Sequence, residues 1–69
     1  MVRVRPHLVR GDAFAIDGGK PASAAADVEP GRRRVTLLKE GAEVETRWLD
    51  VPPAGCTLVD APALACEKP

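Results

Sequence analysis

Residues 28–51 read V-E-P-G-R-R-R-V-T-L-L-K-E-G-A-E-V-E-T-R-W-L-D-V, and the alternation on either side of Glu40-Gly41 decides the fold. From Arg32 to Lys39, positions Arg33, Val35 and Leu37 share one face and Arg32, Arg34, Thr36 and Leu38 the other, the period of a strand with one dry side. Glu29-Pro30-Gly31 in front of it suits a type II turn, with proline second and glycine third. The returning strand, about Glu43 to Val51, has Val44, Thr46 and Trp48 in phase and Leu49 and Val51 out of phase. A two-residue reversal at Glu40-Gly41 pairs Lys39 with Ala42 and sets Leu37 against Val44 and Arg33 against Trp48. A three-residue reversal sets Leu37 against Glu45 and Val35 against Arg47. The first keeps apolar with apolar and is the expected register, with a bulge or strong twist where the apolar set changes face at Trp48-Leu49.

Working outward, Val2, Val4, Leu8 and Val9 are interspersed with Arg3, Arg5 and His7, a strand pattern interrupted by Pro6. Because proline cannot donate to a ladder, this strand is expected at a sheet edge or bent at Pro6, with His7 facing solvent. Ala13-Phe14-Ala15-Ile16 alternates again and aims Phe14 and Ile16 at the core. Asp17-Gly18-Gly19-Lys20-Pro21 then predicts a hairpin reversal. Residues 22–27 read as a loop leading into a short strand near Ala26–Val28. Pro52-Pro53-Ala54-Gly55 closes the hairpin, Cys56–Val59 is a strand, Asp60-Ala61-Pro62 a turn, and Ala63–Cys66 precedes a frayed tail, Glu67-Lys68-Pro69. The fold class is all-β: a small antiparallel β-sandwich or open barrel of about five to seven strands, in one domain over residues 1–69.

Sixty-nine residues with 45% hydrophobic content bury only about 60% of the unfolded chain's surface. Eleven of those 31 hydrophobic residues are alanine, so the core is thin and a staple or a neighbouring surface is expected to support it. Ten basic and ten acidic side chains cancel, which argues against the net-positive field that nonspecific nucleic-acid binding uses. Residues 1–39 carry eight of the bases and residues 40–69 six of the acids, so the halves attract or solvate two faces. No run of about 18 apolar residues predicts direct membrane insertion, and the first eleven residues lack a signal peptide's apolar region.

These pieces resemble the bacterial PEGA domain, a small all-β module. The resemblance covers roughly residues 11–60: F-A-I-D-G-G-K-P at 14–21, V-E-P-G-R-R-R-V-T-L at 28–37, K-E-G at 39–41 and V-P-P-A-G at 51–55. Val9-Arg10-Gly11-Asp12 stand where the family's naming tetrapeptide falls and keep its glycine. The resemblance implies a noncatalytic structural or protein-interaction module of a bacterial surface, envelope or signalling protein. It implies a protein partner or the remainder of a parent chain as ligand, and an extracytoplasmic location if the chain is a piece of an envelope protein. A complete chain without a signal peptide is expected in the cytoplasm. Accessory modules of bacterial Ser/Thr protein kinases belong to the same family, but no kinase signature is present.

Among individual residues, Cys56 and Cys66 are the only cysteines. On one straight strand they would stand about 33 Å apart, so a disulfide requires the chain to double back at Asp60-Ala61-Pro62; two independent thiols are the alternative. A metal site of His7, Cys56 and Cys66 has three soft ligands and no paired spacing, so no metal or cofactor is expected. Arg32, Arg33 and Arg34 with Trp48 form the candidate interaction surface. Arginines on a strand can grip phosphates, which makes a nucleic-acid-binding barrel the competing function. With one Phe, one Trp and no Tyr the stacking platform is missing, and a solvated face paired with Glu43, Glu45 or Asp50 is favoured. Arg33 over Trp48 is the expected cation–π contact. No grouping of nucleophile, base and acid predicts an enzyme or a small-molecule substrate.

Overall fold

The computed structural model describes residues 1–68 and contains seven strands and no helix: β1 (Val2–His7), β2 (Ala13–Ile16), β3 (Ala26–Val28), β4 (Gly31–Lys39), β5 (Ala42–Val51), β6 (Cys56–Val59) and β7 (Ala65–Glu67). They form two sheets, one ordered β3-β1-β6-β7 and the other β2-β4-β5. The two sheets share one core, in which Val4, Phe14, Val28, Val35, Leu37, Val51, Cys56, Leu58 and Leu64 pack together. They do not join into a closed barrel. Glu67 belongs to β7 rather than to a frayed tail, and Pro69 lies outside the described residues.

The expectation of a wholly antiparallel arrangement is corrected by β1 and β6, which run parallel, with Val4 opposite Cys56 and His7 opposite Val59. The long excursion through the other sheet returns the chain in the direction it left, which a tight hairpin cannot do. Nor is β1 an edge. It lies between β3 and β6, and Pro6 fits because β3 pairs only with residues 2–4. Beyond residue 4 that flank of β1 has no ladder, so the missing N–H costs nothing there.

The reversal at Asp17-Gly18 is present, with both residues at positive φ and Gly19 N–H donating to the Ile16 carbonyl at 2.9 Å. The strand it returns is only a bridge, Ala22 exchanging both backbone hydrogen bonds with Phe14. The ladder partner of β2 is β4, with Phe14 opposite Leu37 and Ile16 opposite Val35. This match buries Phe14, Leu37 and Val35 in the shared core and packs the half-buried Ile16 against it, a larger gain than a hairpin with the alanine-rich 22–27 segment offers.

The β4–β5 hairpin corrects the expected register. Glu40 and Gly41 do form a two-residue turn, both at positive φ, and Lys39 pairs with Ala42 and Leu38 with Glu43. Between Leu38 and Leu37 the ladder slips by one, so that Leu37 faces Glu45, Val35 faces Arg47, Arg34 faces Trp48 and Arg33 faces Leu49. Val44 is the extra residue, and the bulge sits there rather than at Trp48-Leu49. The slip reverses which residues of β5 turn inward: Leu49 and Val51 point to the core, and Trp48 is 54% exposed. Glu45 can occupy the inner phase opposite Leu37 because it meets Arg10 and the Leu64 N–H there.

Gly55, entering β6 at φ +81°, lies tight against the β1 backbone. A Cβ on it would run into the Arg3 carbonyl of β1, so the glycine is what lets the parallel β1–β6 pair begin.

Candidate interaction face

The outer face of the three-stranded sheet carries Arg32, Arg34, Thr36 and Leu38 on β4, with Asp50, Trp48, Thr46 and Glu43 opposite them on β5. Thr36 and Leu38 are buried, whereas the arginines and Trp48 are open to solvent. Thr36 and Thr46 share a hydrogen bond between hydroxyls, 3.2 Å. The Arg32 guanidinium carbon lies 5.8 Å from the centroid of the Trp48 ring, within cation–π range. The expected Arg33–Trp48 contact is therefore made by Arg32, because the register slip brings Trp48 opposite Arg34 and diagonal to Arg32. Beside Arg34 a cleft of about 430 Å³ opens over Ala15, Thr36, Leu38 and Thr46. Gly18, with no side chain, leaves room for the Arg34 guanidinium along its rim.

Arg33 turns to the opposite face. It pairs with Asp17 at 3.3 Å and Glu29 at 3.9 Å and donates to the Pro30 carbonyl. The expected partners Glu43, Glu45 and Asp50 are not the ones used, since Arg33 points toward the 17–31 turns at the other end of the sheet. Its buried Nε, without a hydrogen-bond partner, adjoins a second cleft of about 290 Å³ between β2 and β3. That cleft has Phe14, Ile16 and Val28 as apolar lining and mixed charge at its rim, Lys20 and Arg33 against Asp17, Asp27 and Glu29. The Arg34 backbone N–H donates to the Asp17 carboxylate at 3.0 Å. With the Arg33 contact, this holds the Asp17 carboxyl below its usual range despite some desolvation.

The largest feature that the sequence did not announce is Asp60. It is fully buried, and its carboxylate accepts the consecutive backbone N–H groups of Val9, Arg10 and Gly11 at 2.9, 2.8 and 2.9 Å. The Arg10 side chain donates to the Asp60 carbonyl and to Glu45. Glu45 also accepts from Arg47 at 3.1 Å and from the Leu64 N–H at 3.4 Å. One cluster thus ties the β1–β2 loop, β5 and the β6–β7 loop together. Burial alone would raise the Asp60 carboxyl, but the three N–H groups and the Arg10 charge outweigh it and hold it below the usual range. Glu45 is lowered by the Arg10 hydrogen bond, against partial desolvation, with help from Arg47 and Leu64. Nothing local marks Asp60, which reads as an ordinary turn residue. Its partners lie about fifty positions earlier, and only the parallel β1–β6 pairing brings them together.

Cys56 and Cys66 are within disulfide distance, Cα to Cα 5.4 Å, across the β6–β7 hairpin that doubles back after Asp60. His7 sits exposed on the outer side of β1. No group of three or more His, Cys, Asp or Glu side chains converges on one point among the described residues. Comparison of the chain with protein-family models, curated proteins and solved structures returned no match.

Proposed function

We propose that this chain is a noncatalytic protein-interaction module, a PEGA-like β-sandwich of a bacterial surface, envelope or signalling protein, and that Arg32, Arg34 and Trp48 are its contact residues. The observation that carries this reading is Trp48, the only tryptophan, 54% exposed on a sheet face with an arginine stacked beside it. An aromatic flanked by arginines on a rigid support is the composition of an interface hot spot. The Cys56–Cys66 pair supports an oxidising, extracytoplasmic setting, where small domains with thin cores are commonly stapled. The competing nucleic-acid reading loses strength because Arg33 faces inward, leaving two arginines and one aromatic on the outer face.

A photoreactive tryptophan analogue at position 48 of the folded domain, which keeps the aromatic contact, tests this, with the same residue at position 5, on the exposed side of the other sheet, as control. The proposal expects a discrete protein adduct from position 48 and none from position 5. Equal labelling from both positions, or adducts with nucleic acid alone, would contradict it.

A further inference from the structure

We infer that the partner segment this face takes is an extended, acidic stretch of polypeptide with carboxylates at alternate positions. The inference rests on the interaction reading above and specifies its chemistry. Arg3, Arg10, Arg33 and Arg47 each reach a carboxylate within the chain. Among the described residues, Arg5, Arg32 and Arg34 make no ion pair, and two of those three adjoin Trp48 on one face. Asp50 is opposite Arg32 in register without forming an ion pair with it.

Arg32 and Arg34, two residues apart on one strand, are separated by about 6.6–6.8 Å along β4. An extended segment lying on the sheet presents its own same-side side chains at that interval, so carboxylates at i and i+2 stand over Arg32 and Arg34, whose guanidiniums lean toward Trp48 and Gly18. An apolar or aromatic side chain from the same segment meets Trp48. The contact is made through side chains on the sheet face rather than by adding a strand. The free edge of β5 is guarded by the Val44 bulge and by the charged Glu45 turned inward, devices that discourage edge pairing. A polyanion such as nucleic acid or a sulfated glycan would meet the same two arginines, but two guanidiniums on one strand are a short track for its repeating charges, and a single exposed aromatic leaves no stacking platform.

The probe is a blocked heptapeptide of alternating Thr and Glu, titrated against the oxidised 69-residue chain at low salt and followed by emission from the single Trp48. The controls are the Gln-for-Glu peptide and an isomer with its glutamates consecutive. A short oligonucleotide and a sulfated oligosaccharide are titrated alongside. Expected are a saturable change for the alternating peptide that weakens with salt, a several-fold loss with the consecutive isomer, and a roughly three- to fivefold loss for each of Arg32→Gln and Arg34→Gln, the size of an exposed ion pair. Equal binding of the Gln peptide, or no effect of either substitution, overturns the inference. Binding of the oligonucleotide or the oligosaccharide in preference overturns the peptide assignment. Absence of any response, while position 48 still cross-links a protein, overturns the acidic chemistry and leaves the interaction reading standing.

Discussion

Asp60 has no route to solvent and three backbone donors aimed at it, so its charge is held by geometry that only the folded chain supplies. Replacing it with asparagine keeps one acceptor oxygen and puts a donor where an acceptor is needed. We expect a loss of about 2–3 kcal/mol, read as a lower urea midpoint at pH 7, whereas Asp50→Asn, exposed on β5 and in no ion pair among the described residues, should change the midpoint little. The pH dependence follows from the sign of the shift. A carboxyl whose folded pKa lies below its unfolded value of about 3.9 contributes stability that is fully present above that value and is lost as pH falls through the folded pKa. Asp17 and Glu45 act in the same direction. Urea midpoints should therefore be flat near neutrality and fall below about pH 4, and the Asp60→Asn protein should show a shallower acid fall. An identical fall in both proteins would remove Asp60 from its assigned place.

At the level of elements, the β4–β5 hairpin shows what a single sequence can and cannot disclose. The turn at Glu40-Gly41, the phase of β4 and the strands near 13–16, 26–28 and 56–59 were legible, because turn chemistry and period-two alternation are local, whereas the approach of Cys56 to Cys66 was one of two open alternatives. The register of β5 was not. Matching apolar with apolar favoured Leu37 against Val44, and the outcome was decided instead by Arg10 and Leu64, which draw Glu45 inward from distant parts of the chain. The two registers make opposite predictions. With Val44 at a bulge and 45% exposed, Val44→Ala should cost under about 0.5 kcal/mol, while Leu37→Ala, fully buried, should cost about 2–5 kcal/mol. Comparable losses at both positions would restore the pairing of Leu37 with Val44. The β6–β7 hairpin yields a third expectation. Replacing both cysteines with serine should remove roughly 2–3 kcal/mol by releasing a short closed loop, and reductant should lower the melting temperature of the native protein but not of the Cys56→Ser/Cys66→Ser protein.

On the scale of the whole molecule, the two sheets meet along one core but leave four strand edges, each blunted differently. β3 and β7 are three residues long, β2 is bridged by Ala22, and β5 is bulged with the Glu45 charge turned inward. Such a domain resists strand addition, so contact with a partner falls to faces. The outer face of β2-β4-β5 carries the exposed tryptophan. The three adjacent arginines divide there: Arg33 stabilises the end of the sheet, and Arg32 and Arg34, beside Trp48, make no ion pair among the described residues. Alternation puts Arg33 in phase with Val35 and Leu37, but the candidate surface grouped all three arginines with Trp48, and only the bulge shows which face Trp48 takes. The most direct test is the affinity of the protein cross-linked at position 48 for the wild-type domain and for Trp48→Ala, measured side by side. The account predicts at least a thirtyfold loss, the scale of a hot-spot aromatic of about 2 kcal/mol, with the melting temperature unchanged. Undiminished affinity in a folded Trp48→Ala domain would contradict it.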